Sequence, residues 1–225
     1  MKLVLLSGLD GTAKLFEPFI KALPKTIETQ VISYPTDKKL GYQALISLVE
    51  NELPKKEVFV LLAESFSGYI AYAVALKKPK NLKALIFVAT FLENPRPILS
   101  KFLPLVPLEF ILSLPMPSFV AKRFLLGVDS PEVGLLQETL KSIPSTVLYH
   151  RLLEIVQLPM AVETLEVKAI YLQASHDRLV PKHCYDVFEK CIADIELFEV
   201  EGSHLLLQGN PNECAEIVKK FIGEK

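Results

Sequence analysis

Short apolar runs recur along the chain, separated by longer stretches in which apolar positions return every three or four residues. The runs cover residues 3–6, 30–33, 58–62, 84–89, 168–172 and 195–200. Five are nearly unbroken Val, Ile, Leu and Phe, the pattern of strands covered on both faces. The sixth places Glu196 and Glu199 among its apolar residues, which suits a sheet edge. Between runs, Phe16, Phe19, Ile20 and Leu23 follow Thr12, an N-cap candidate, and stop at Pro24. Tyr42, Leu45, Val49 and Leu53 repeat the device up to Pro54, and the alanine-rich stretch 68–78 ends in Lys77 and Lys78 before Pro79. Near the end, Asn210 is placed to cap and Pro211 to take the first helical position. Glu213 could complete a capping box, with Cys214, Ile217, Val218 and Phe221 as the buried face and Gly223 as the stop. Strand alternating with helix predicts an α/β fold: a mostly parallel six-stranded sheet joined by right-handed crossovers.

One interval departs from this rhythm. Residues 94–165 contain no clear strand and hold nine of the sixteen prolines. Short helices are expected over 108–114, 118–126, 131–142 and 146–158, many of whose residues are Leu, Phe, Val or Met. An unstructured loop of this length would be unusual. A helical insertion is therefore expected after the fourth strand, at the edge where parallel sheets bind ligands. Residues 1–93 and 166–225 would form the core, and 94–165 a lid.

Composition narrows the function classes. The chain has 225 residues, half of them hydrophobic, and a net charge of −1. That length suits one domain able to bury a core without disulfide or metal. The neutral balance lacks the positive field of a nucleic-acid surface. Cys184, Cys191 and Cys214 have no metal-ligand spacing and read as buried small hydrophobes in a reducing compartment. The N-terminal apolar stretch is too short for a signal-peptide core, and no run reaches a membrane span. A soluble cytoplasmic protein without cofactor or metal is expected; the oligomeric state stays open.

Chemistry concentrates at predicted strand ends. The third strand runs into Ala63-Glu64-Ser65-Phe66-Ser67-Gly68 and then directly into a helix. Ser65 or Ser67 could simply cap that helix. A serine on so sharp a turn, with small residues two positions to either side, also projects its hydroxyl above the sheet beside the helix N-terminus, where free N–H groups stabilise an oxyanion. Such a hydroxyl needs a base. Of four histidines, His204 lies in the loop after the last strand, whereas His150, His176 and His183 read as packing or surface residues. The base needs a carboxylate to fix its tautomer, and Asp177 stands at the end of the fifth strand. Glu93, after the fourth strand, is the alternative.

These residues resemble the α/β-hydrolase superfamily, in particular its small lidded serine esterases, over nearly the whole chain. The resemblance rests on the serine turn, on the Asp177-Arg178-Leu179-Val180-Pro181 segment and on the order Ser65, Asp177, His204. It implies a fold that begins at the family's third strand, without the first two. The opening Leu6-Ser7-Gly8-Leu9-Asp10-Gly11 is similar to the turn where the family often carries His-Gly, with Ser7 in place of histidine. The resemblance implies an oxyanion hole made by the N–H groups of Leu9 and Phe66. Ala63 and Ser67 stand where the usual pattern has glycine. The activity implied is hydrolysis of a modestly hydrophobic small ester or thioester through an acyl-enzyme. The same triad could serve C–C hydrolysis, perhydrolysis or acyl transfer, or the fold could bind a ligand without catalysis.

Overall fold

Alternation within the apolar runs decides the layering. Leu3 and Leu5 point to one face of the sheet and pack with Phe16, Phe19 and Val218, while Val4 and Leu6 point to the other and pack with Leu45, Val49 and Ile70. The computed structural model describes residues 1–100, 107–113 and 132–223. Among these the strands are β1 (Lys2–Leu6), β2 (Glu28–Ile32), β3 (Phe59–Glu64), β4 (Leu82–Val88), β5 (Lys168–Ala174) and β6 (Ile195–Val200). All pair in parallel, in the order β2-β1-β3-β4-β5-β6.

The helices are α1 (Glu17–Ala22), α2 (Tyr42–Glu52), α3 (Gly68–Leu76), α4 (Pro97–Ser100), α5 (Leu108–Ser113), α6 (Glu132–Lys141), α7 (Ser145–Val156), α8 (Tyr185–Cys191), α9 (Leu206–Gly209) and α10 (Pro211–Ile222). Helices α2, α3 and α8 cover one face of the sheet, and α1 and α10 the other. Among the described residues, four helices fall in the connection between β4 and β5. Three of them match the short helices expected there, and the expected helix over 118–126 lies outside the described residues.

Several local expectations need correction. β2 is half-exposed along most of its length because it forms the sheet edge opposite β6. It also begins at Glu28 rather than residue 30, since pairing with Lys2 of β1, not apolarity, sets its start. Thr12 does not cap α1. A 3-10 turn over Lys14–Phe16 intervenes, and the Thr12 hydroxyl, which donates to Asp10 at 2.6 Å, accepts the Lys14 N–H at 3.3 Å. Asn210 precedes Pro211 as expected, but the capping box does not form. Its amide instead donates to the Glu213 carboxylate at 2.5 Å and to the Glu201 carbonyl at 3.2 Å. Gly223 ends α10 in the left-handed region. The three cysteines are buried and unpaired. No helix among the described residues is long and apolar enough to cross a membrane.

Candidate active site

The residues expected to carry chemistry follow the C-terminal ends of β1, β3, β5 and β6. Ser65 follows β3 directly at φ 51°, a left-handed conformation that costs a non-glycine residue about 1–2 kcal/mol. Gly68 permits the turn: a Cβ there would sit 2.2 Å from Thr90 Oγ1 and 2.9 Å from the Phe91 carbonyl. The Thr90 hydroxyl donates to the Ser65 carbonyl. That carbonyl shares its planar peptide unit with the Phe66 N–H, so holding one aims the other in the opposite direction. The Phe66 ring stacks on Tyr42 at 4.6 Å, and the Tyr42 hydroxyl donates to the Phe66 carbonyl at 3.1 Å.

The structure brings together the three side chains expected to carry chemistry. Ser65 Oγ lies 2.8 Å from His204 Nε2, and His204 Nδ1 lies 2.8 Å from Asp177 Oδ2. The other carboxylate oxygen, Oδ1, accepts the backbone N–H groups of Leu179 at 2.8 Å and Val180 at 2.9 Å. Burial works against ionisation of Asp177, but His204 and these two N–H donors outweigh it and hold the carboxyl below its usual range. Burial also disfavours a charged His204. The paired Asp177 carboxylate, helped by Glu64, outweighs it and raises the imidazole above its ordinary 6.5. It is Asp177, rather than Glu93, that meets the imidazole. The other histidines stay away: His150 faces Glu154 on α7, His176 pairs with Glu201 at the surface, and His183 is exposed.

The turn after β1 lies against this group. A Cβ on Gly8 would be 3.9 Å from Ser65 Cβ. The Gly8 carbonyl accepts the Gly11 N–H at 3.1 Å, which fixes the peptide unit bearing the Leu9 N–H. Leu9, Ser65 and His204 share a cavity of about 180 Å³, whose remaining wall is mainly apolar and includes Phe91, Ile155 and Val180.

The fold places the chain among known proteins. No protein-family model matches it. A lipase-esterase related protein from Clostridium acetobutylicum superposes with a TM-score of 0.81 at 19% identity, over 98% of this chain and 94% of that one. An esterase from Thermogutta terrifontis superposes with a TM-score of 0.77 at 16% identity, over 99% and 89%. The chain has the α/β-hydrolase fold. A chloroplastic phytyl ester synthase of Arabidopsis thaliana is 30% identical over 143 residues, which take in 57% of this chain but only 20% of that protein.

Within the α/β-hydrolase fold, the departures from the usual pattern are accommodated. Ser7, where histidine is frequent, is buried and directs its hydroxyl to the carbonyls of Thr12 and Ile32 at 3.0 and 3.2 Å. Ser67, where glycine is usual, donates to the Ser7 carbonyl, and the Tyr34 hydroxyl reaches Ser67 Oγ at 2.5 Å. Ser67 therefore ties the turn after β3 to the turn after β1, and Ser7 ties the latter to the end of β2.

Sequence reasoning missed Thr90, Glu64 and Gln208. Glu64 carries a signal that could have found it, a carboxylate ending an otherwise apolar buried strand. It is 2% exposed and accepts from the Gln208 amide at 3.1 Å. Burial above all, with Asp10 adding, pushes its carboxyl from 4.5 up to about 7, against the Gln208 hydrogen bond and His204. A raised carboxyl pKa means the folded chain holds a proton that the unfolded chain releases. This contribution to stability is complete below about pH 4.5 and is lost as pH rises through about 7. Glu64→Gln is expected to match the wild type in urea unfolding at about pH 4.5 and to exceed it by roughly 3 kcal/mol well above pH 7. An equal difference at both pH values would show that Glu64 does not titrate in this window.

Proposed function

We propose that the chain is a serine hydrolase that cleaves a modestly hydrophobic carboxylic ester or thioester. The observation that carries this reading is the unbroken hydrogen-bonded line from Ser65 Oγ through His204 to Asp177. Ser65 attacks the substrate carbonyl carbon while its proton passes to His204 Nε2, and Asp177 holds the opposite ring proton and stabilises the imidazolium. The N–H groups of Leu9 and Phe66 receive the oxyanion. Collapse of the tetrahedral species breaks the bond to the leaving alcohol or thiol, which takes the proton from His204 and leaves an acyl group on Ser65. Water then attacks that acyl group, gives a proton to His204 and releases the acid. The same proton returns to Ser65.

The apolar cavity beside Ser65 suits an acyl chain, and the insertion over residues 94–165 serves as its lid. The three free buried thiols fit a cytoplasmic site of action. A panel of nitrophenyl esters of graded chain length, with matched thioesters, tests the reading. Turnover is expected for chains of a few carbons, absent in Ser65→Ala. A folded protein that turns over none of them would overturn it.

The relative named as a phytyl ester synthase supports a second reading, in which an alcohol replaces water and the acyl group is transferred. Adding a long-chain alcohol to the same assay distinguishes the two. Transfer predicts new ester at the expense of free acid.

A further inference from the structure

Arg151 is a cation on a helix of the β4–β5 connection, and it is only 1% exposed. Its guanidinium spans two main-chain carbonyls far away in sequence: Nη1 donates to Leu9 at 2.7 Å and Nη2 to Pro35 at 2.9 Å. It also lies over the Tyr34 ring, 5.8 Å from the centroid. The turn is shaped around it. Gly11 sits at φ +73°, and a Cβ there would fall 2.5 Å from Nη1. Burial disfavours the guanidinium charge and lowers its pKa, and the buried Asp10 beside it opposes that shift only in part.

Leu9 is consequently held from both sides. Gly11 fixes the peptide unit before it and Arg151 the one after it. The N–H of that residue is the oxyanion donor in the reading above. Tyr34 extends the same assembly to Ser67 and thence to the Ser7 carbonyl, at the start of the turn.

We infer that Arg151 is a positioning residue, which reaches from α7 to hold the Leu9 N–H in register with Ser65. The inference rests on the serine-hydrolase reading. It makes α7 a fixed part of the catalytic scaffold. A lysine could not replace the clamp fully, because an ammonium lacks the planar fork that bridges two carbonyls.

The test uses the full chain, with turnover expressed per active site titrated to completion by a fluorophosphonate. A merely structural Arg151 would lower the titratable fraction and the melting temperature while leaving turnover per titrated site unchanged. A positioning Arg151 predicts that Arg151→Met loses on the order of 10²-fold in kcat with KM within about twofold, because an oxyanion donor acts in the transition state. Affinity for an alkyl boronic acid, which forms the tetrahedral adduct, should fall by a similar factor. Arg151→Lys, which keeps the charge and most of the packing, should lose about tenfold and decides the matter if Arg151→Met does not fold. Unchanged kcat per titrated site, or a loss confined to KM, overturns the inference while the wild type remains an active hydrolase. A wild type without turnover overturns the underlying reading instead, and this inference with it.

Discussion

Replacing Ser65 with alanine is expected to lower kcat by about 10⁶-fold while leaving the protein folded. The hydroxyl is the nucleophile in the proposed reaction, and among the described residues lining the cavity no other side chain carries a hydroxyl or thiol. Ser67, the nearest alternative serine, donates to the Ser7 carbonyl below the turn and accepts from Tyr34, so its oxygen is occupied. Alanine keeps the Cβ and the left-handed backbone of position 65, so the strain at φ 51° is the same in both proteins. What is lost on folding is the Ser65–His204 hydrogen bond, worth about 1 kcal/mol. A loss of activity that large beside so small a change in unfolding free energy separates chemistry from stability. Residual activity within about tenfold of the wild type would mean that another group performs the attack.

Asp177→Asn is expected to cost about 10⁴-fold in kcat. Asparagine can keep its carbonyl oxygen on the Leu179 and Val180 N–H groups, where Asp177 Oδ1 now accepts at 2.8 and 2.9 Å. Its amide then faces His204 Nδ1 as a donor. The ring responds by carrying its proton on Nε2, the atom that must accept the Ser65 proton. A second consequence appears in the pH profile. In the wild type the Asp177 carboxylate outweighs burial and keeps His204 above 6.5. A charged imidazole cannot act as base, so kcat/KM should rise with pH through a midpoint above 6.5. Without the carboxylate, burial prevails and the midpoint of any residual activity should fall below that value. An Asp177→Asn variant that kept its rate and its midpoint would return the role to Glu93.

Much of the fold was visible in the spacing of apolar residues, for a definite reason. A sheet covered on both faces must be built from short unbroken runs, and each crossover helix must show its buried stripe. β6, with its two glutamates, read correctly as an edge. β2 did not, because its apolar residues resemble those of a central strand and only its place beside β1 exposes it. Ser65, His204 and Asp177 were legible as candidates because strand ends in parallel sheets lie along one edge. Their mutual distances were not, since these depend on Gly68, Thr90 and the loop around Asp177 packing together. Arg151 was hidden for a different reason. In the sequence it is a polar position on a helix of the insertion, indistinguishable from a solvated one, and only the folded chain shows that it meets Leu9 and Pro35.

The central claim is that the Ser65 hydroxyl is an activated nucleophile, and covalent trapping reads it most directly. The folded protein is incubated with a fluorophosphonate, and the adduct is mapped by mass spectrometry of the intact chain and its peptides. The account predicts one adduct per chain, located on Ser65, absent from Ser65→Ala and formed far more slowly in His204→Ala. Folded wild-type protein that takes up no label, or a label that persists undiminished in Ser65→Ala, would contradict it.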